Sequence, residues 1–141
     1  MTTTYDANDI NMMHRGTFAG EVGIVTTSAS RDGVTATVQV RPNHRQPAGI
    51  VHGGVYSTIV ETLASIGAAL DAMTSGKSVV GLENHTTFVR ATREGTLHAE
   101  ATPITRGRRS QVWEVTIKND EAAIVATGRV RLLVVEPDSI P

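Results

Sequence analysis

The stretch NHRQPAGIVHGGVYSTIVETLASIGAAL, residues 43–70, decides the fold. A polar loop bearing Pro47 and Gly49 runs into His52-Gly53-Gly54, and an apolar helix follows. Ala, Leu and Ile fill that helix, which is expected from Gly53 to about Met73, where Thr74-Ser75-Gly76-Lys77 supplies a stop. A segment this apolar on every side is built to be buried. Yet it carries a carboxylate, Glu61, eight residues after Gly53. An isolated buried charge costs several kcal/mol unless it is paired, solvated or neutralised. Glu61 is therefore either satisfied by structural partners or at work in a site.

On the N-terminal side, GEVGIVTTSASRDGVTATVQVRP (residues 20–42) reads as two β-rich runs around Arg31-Asp32-Gly33, with Asp-Gly at a hairpin turn. On the C-terminal side four more β-type runs follow, at about 78–91, 95–106, 109–119 and 122–135, rich in Val, Ile and Thr. In VWEVTIK (112–118) apolar and polar residues alternate, as in a half-buried antiparallel strand. Trp113 in this run is expected in the core. Residues 1–16 are polar and fit a short helix or a loose arm. Residues 17–136 form the domain, and 137–141 are a tail. The class is α+β: an antiparallel, meander-like sheet of six strands wrapped around one long central helix. The helix has more apolar faces than one sheet can cover, so its remaining side is expected to pack on a second subunit.

Composition narrows the function. The chain of 141 residues suits one domain with one core. Its formal net charge of -1 gathers neither nucleic acid nor an anionic membrane. With no Cys there is no disulfide, thiolate nucleophile or zinc–thiolate site. The five His, at 14, 44, 52, 85 and 98, show no short metal-ligand spacing, so no metal is expected. The beginning MTTTYDANDINMM has no basic start and apolar run of a leader, and the long apolar segment is interrupted by polar residues. A cytoplasmic protein without a membrane span is the expectation. Neither a Gly-x-Ser-x-Gly elbow nor a nucleotide-fold Gly-rich loop is present.

The residues that can carry chemistry cluster around the helix start. Unpaired N–H groups and the positive end of the helix dipole meet there, and Gly53-Gly54 would let a ligand approach the backbone. Such a place holds an oxyanion or polarises a carbonyl. The plain alternative is a tight turn needed for packing. Gly53 and Glu61 lie about 12 Å apart along one helix, too far to serve one carbonyl. Two such helices antiparallel across a two-fold axis would bring Gly53 of one subunit to Glu61 of the other. Ser65 shares the Glu61 face and can hold a water or the carboxylate, or simply be small at a helix contact. His52 can act as a base or orient the loop. Gln46 can donate to an oxygen without a charge, or be a solvated loop residue. Tyr56, Ile59, Val60 and Leu63 are possible pocket liners or core.

Together these residues resemble the hotdog-fold acyl-CoA thioesterases of the Arthrobacter 4-hydroxybenzoyl-CoA thioesterase type and its phenylacetate-degradation relatives. Gln46, His52, Gly53, Glu61 and Ser65 stand at that family's spacing. The segment GLENHTTFVRATREG (81–95) is similar to the family's strand with its Asn-His and Phe-x-Arg pattern. The similarity covers roughly residues 17–135.

The resemblance implies hydrolysis of an aromatic or short- to medium-chain acyl-CoA to a carboxylate and free CoA. The Gly53 N–H would polarise the carbonyl with help from Gln46. Glu61 would attack it or activate a water, with Ser65 placing the water and His52 supporting the loop. Asn43, Gly54, Asn84 and His85 would border the substrate. Arg106, Arg108 and Arg109, a basic turn where the Arthrobacter type has small hydroxyl residues at 108 and 109, would meet the CoA phosphates. No cofactor is implied, CoA being part of the substrate. The assembly would be a homodimer or a dimer-of-dimers tetramer with sites at the dimer interface. Two other readings compete. A hotdog hydratase pairs its acid with a His a few residues on, and no His follows Glu61 in the helix. A non-catalytic acyl-CoA sensor usually adds a DNA-binding segment, for which this chain shows no candidate.

Overall fold

A two-residue turn at Arg31-Asp32 closes the first hairpin. β1 (Ile24–Ser30) and β2 (Gly33–Gln39) pair antiparallel, with Ser30 opposite Gly33. The computed structural model describes residues 5–140, so residues 1–4 of the N-terminal arm and 141 of the tail lie outside the described part. The central helix α3 spans Gly53–Met73, the bounds expected from its composition. Four strands follow: β3 (Ser78–Phe88), β4 (Thr96–Arg106), β5 (Ser110–Lys118) and β6 (Ile124–Val135).

All neighbours in the sheet are antiparallel, but the order is β1-β2-β4-β5-β6-β3, not a meander. The reason is the length of α3. Its 21 residues span about 31 Å and carry the chain beneath the sheet to the far edge. There β3 starts, and it pairs with β6 rather than β2. The loop after β3 returns the chain so that β4 fills the place beside β2.

The strand period sets the core. Val34, Ala36 and Val38 of β2, Leu97, Ala99 and Ala101 of β4, and Trp113, Val115 and Ile117 of β5 alternate inward. They close over Tyr56, Ile59, Val60, Leu63, Ala64 and Ala68 of α3. Full burial of a side chain such as Leu63 contributes about 1.5–3 kcal/mol. The outward positions Thr35, Thr37, His98, Glu100 and Lys118 are polar, as one solvated sheet face requires.

A polar chain crosses the end of this core. Gln111, 1% exposed, accepts from Trp113 Nε1 at 2.8 Å and donates to Asp71 Oδ2 at 3.0 Å. Asp71 sits in the last turn of α3, where the helix dipole disfavours an anion. Arg31 compensates at 2.6 Å and Arg106 at 3.8 Å.

The N-terminal segment is docked. Helix α1 (Ala7–Met13) starts with a capping box in which Asp6 and Asp9 each accept the other's backbone N–H. The Asn11 side chain donates to Thr26 O and accepts from Thr26 N, both at 2.8 Å, as a paired strand would. Residues 20–22, expected to open a strand, belong instead to helix α2 (Phe18–Val22). Thr17 caps that helix and Val22 turns into the core. Residues Pro137–Ser139 form a 3-10 turn behind a Lys77–Glu136 ion pair.

Candidate active site

The loop before α3 is held by backbone turns and by side-chain bonds from His44, Gln46 and Arg93. A 3-10 turn at Pro42–His44 is fastened by Arg41 N to His44 Nδ1 at 3.1 Å and by His44 Nε2 to Val22 O at 2.7 Å. The next turn closes through Gln46 N to Ile50 O at 2.9 Å and Gly49 N to Gln46 O at 2.8 Å. Arg93 Nη1 donates to Ala48 O at 3.0 Å and pins the turn from outside. Gln46 Oε1 accepts from Ala48 N. Because an N–H can only donate, this fixes which side-chain atom is the oxygen and leaves the Nε2 group as a free donor.

His52 is the N-cap of α3. Its Nδ1 accepts from Gly54 N at 2.8 Å, and its carbonyl accepts from Val55 N at 2.9 Å. Nδ1 is thus the accepting nitrogen of the ring, and Nε2 is the one left to face outward contacts. This bond places His52 as the cap of the helix start. Among the described residues the Gly53 N–H has no acceptor. Gly53 is glycine for space: a Cβ there would stand 2.5 Å from Phe88 Cζ. Gly53, Gln46, Val51, Tyr56 and Phe88, with Arg90, line a cavity of about 320 Å³. Its floor is apolar, and its polar end carries the free Gly53 N–H and the Gln46 amide. Tyr56 is pocket wall, while Ile59, Val60 and Leu63 are core.

Glu61 is half-buried on the flank of α3 that faces β3. No Lys, Arg or His among the described residues pairs with it. Its compensation is an amide: Asn84 Nδ2 donates to Glu61 Oε2 at 3.0 Å and to Ser57 O at 3.0 Å. The other carboxylate oxygen, Oε1, lies 2.8 Å from where a Cβ on Gly81 would stand. Ser65 is half-buried one turn further on, with no side-chain hydrogen bond among the described residues.

Two half-sites result. Gln46 and Gly53 come together at the C-terminal end of β3, beside Phe88. Glu61 and Asn84 come together nearer its start, beside Gly81. Both flank the edge of β3 that no strand among the described residues pairs. That edge exposes Leu82 at 52%, Phe88 at 57% and Val89 at 55%.

The other expected residues are dispersed. Asn43, His52 and Gly54 line a separate hollow of about 420 Å³ with Phe18, Val55 and Thr58. His85 follows Asn84 in an extended strand and so points from the opposite face of the sheet, in register with Arg129. Arg106 is engaged at 2.8 Å by Asp32 and donates to Arg31 O at 2.9 Å. Arg108 and Arg109 are exposed in the β4–β5 turn, without a carboxylate partner among the described residues. Sequence reasoning missed Gly81 and the roles of Phe88 and Thr86. A glycine inside a β-rich run marks a close approach and was the available signal for Gly81.

A six-stranded antiparallel sheet wrapped around one long central helix is the thioesterase hotdog fold. The chain belongs to the thioesterase superfamily, whose family model matches residues 48–126. The Mycobacterium tuberculosis protein Rv1847 is 44% identical over 117 residues, which cover 82% of this chain and 84% of the relative. The structure of that protein superposes with a TM-score of 0.83, covering 84% of this chain and 96% of the other. The proofreading thioesterase EntH of Cronobacter sakazakii is 33% identical over 120 residues, 85% of this chain and 87% of its own. The Haemophilus influenzae thioesterase HI1161 is 32% identical, with a TM-score of 0.89 over 96% of this chain and 94% of that one. Thioester hydrolysis is the chemistry of this chain.

Proposed function

We propose that the chain hydrolyses acyl-CoA thioesters, with an aromatic or a short- to medium-chain acyl group, to the carboxylate and free CoA. The active unit is a homodimer, alone or paired into a tetramer, and each site is shared across its two-fold axis. The observation that carries this reading is the split site. A free Gly53 N–H and a free Gln46 amide end one apolar cavity, and an unpaired carboxylate stands about 12 Å along the same helix, a gap only a second copy closes.

In this reading the thioester carbonyl oxygen accepts from Gly53 N–H and Gln46 Nε2. Positive charge from the helix dipole then favours the tetrahedral oxyanion. Glu61 of the partner subunit acts as nucleophile, giving an acyl anhydride that water opens, or as general base that takes a proton from water. On either course the C–S bond breaks, the sulfur leaves as thiolate and takes up a proton, and one water is consumed. Ser65 holds the water. Arg108 and Arg109, the two guanidiniums of their turn with no carboxylate partner among the described residues, meet CoA phosphates, while Arg106 is held back by Asp32 and Asp71. CoA is part of the substrate, and the reading calls on no cofactor.

The test is free-thiol release from benzoyl, hydroxyphenylacetyl, short- and medium-chain acyl-CoAs by wild type and Glu61→Gln. Turnover of one class, lowered roughly 100-fold or more in the variant, supports the reading. Binding of CoA esters without turnover by wild type would replace it with the sensor reading.

A further inference from the structure

Resting on that reading of Glu61, we propose that Asn84, itself locked by Thr86, is a positioning residue that ties up Oε2 and presents Oε1 as the reacting oxygen.

The hydrogen bonds run in one direction. Thr86 Oγ1 donates to Asn84 Oδ1 at 2.7 Å. Asn84 spends its two Nδ2 protons on Ser57 O and Glu61 Oε2, each at 3.0 Å. The amide has no second orientation, because a flip would turn Oδ1 toward a carbonyl and a carboxylate, two acceptors. A carboxylate at the end of a Glu side chain otherwise rotates freely and offers either oxygen. Here Oε2 is engaged, and an oxygen that already accepts a hydrogen bond is the poorer base and nucleophile. Oε1 rests against the bare backbone of Gly81, 2.8 Å from where any Cβ would stand. No donor among the described residues reaches Oε1. Its lone pairs are free of any donor among the described residues. A neutral amide suits the task better than Lys or Arg, which would fix the carboxylate by neutralising the charge the reaction needs.

Asn84 was expected to border the substrate; the geometry makes it act through Glu61. The test uses the full-length chain and a thioester that wild type turns over. Asn84→Ala should lower kcat roughly 10- to 100-fold and leave KM within about twofold. Asn84→Asp, which keeps the shape but loses the donor, should be at least as slow. Thr86→Val should lower kcat by about 3- to 10-fold and Thr86→Ser should restore it, which also serves if Asn84 variants fold poorly. In a Glu61→Gln background, Asn84→Ala should add little further loss. A raised KM at unchanged kcat would make Asn84 a substrate contact and overturn the inference. So would a lowered Tm with kcat intact, which would make it a structural residue only. Full activity in Glu61→Gln would sink the proposed function instead, and separates the two failures.

Discussion

The ring of Phe88 occupies the space beside Gly53, its Cζ 2.5 Å from the point a side-chain carbon would claim. The packing reading of this glycine is therefore observed, and it is compatible with the oxyanion role proposed for its N–H. The Phe88 ring fills the space a side chain on Gly53 would take, and the same contact puts an aromatic wall beside the N–H.

Those two roles separate in a double-mutant cycle. Gly53→Ala should destabilise the chain by about 1–3 kcal/mol through overpacking and lower kcat. Adding Phe88→Ala should recover most of the stability, because the clash partner is gone. Thermal unfolding of the three variants beside their kcat values checks this. Stability that is not recovered would mean the clash is not with Phe88.

A shared site makes a complementation prediction. Mixing Glu61→Gln with Gly53→Ala subunits, each of lowered kcat alone, should form hybrids in which one of two sites is intact. At equal mixing, about one quarter of wild-type activity should return. Sites contained within one subunit would give none.

The crossing polar chain at the end of α3 makes a stability prediction free of chemistry. Asp71→Ala leaves the buried Gln111 Nε2 without an acceptor and Arg31 without its carboxylate. A cost of about 1–3 kcal/mol follows, or a Tm lower by roughly 3–10 °C. Substrate turnover at low temperature should hold, since Asp71 touches neither half-site.

Stability should also depend on His44. Burial, first, and the Arg41 charge hold its pKa below the ordinary 6.5, against the raising effect of the Val22 carbonyl. Burial lowers the pKa of His14 as well. The unfolded chain then binds protons at a higher pH than the folded one. Stability is full above about 6.5 and falls as pH drops below it, until the folded rings titrate too. Protonation at His44 Nδ1 would also break its bond from Arg41 N and loosen the turn before Gln46. Denaturant unfolding between pH 7.5 and 5 should show the decline, and His44→Gln should flatten it.

Much of this was legible in the sequence because single residues forced it. Asp32-Gly33 set a hairpin, the capping motif His52-Gly53-Gly54 began α3, and Glu61 in an apolar helix demanded an explanation. The sheet order was not legible, because strand periodicity marks which face is buried and not which neighbour pairs. Helix α2 was missed since Val22, Ile24 and Val25 read alike as β formers, and only Thr17 marked a cap. The compensation of Glu61 was missed because Asn84 is 23 residues away and carries no charge. Arg106 looked like a phosphate ligand because nothing local shows that the Arg31-Asp32 turn folds back onto it.

Asn11 has a consequence beyond docking its own helix. A sheet has two margins at which another chain can be stitched on. Asn11 occupies both backbone groups of Thr26 and so removes a rung from one margin, while the margin at β3 stays open. In the proposed dimer, a tile that is receptive on a single side joins one other tile, edge to like edge, and the growth stops there. The same amide that seats a short helix would thus favour the closed pair proposed above over an endless ribbon.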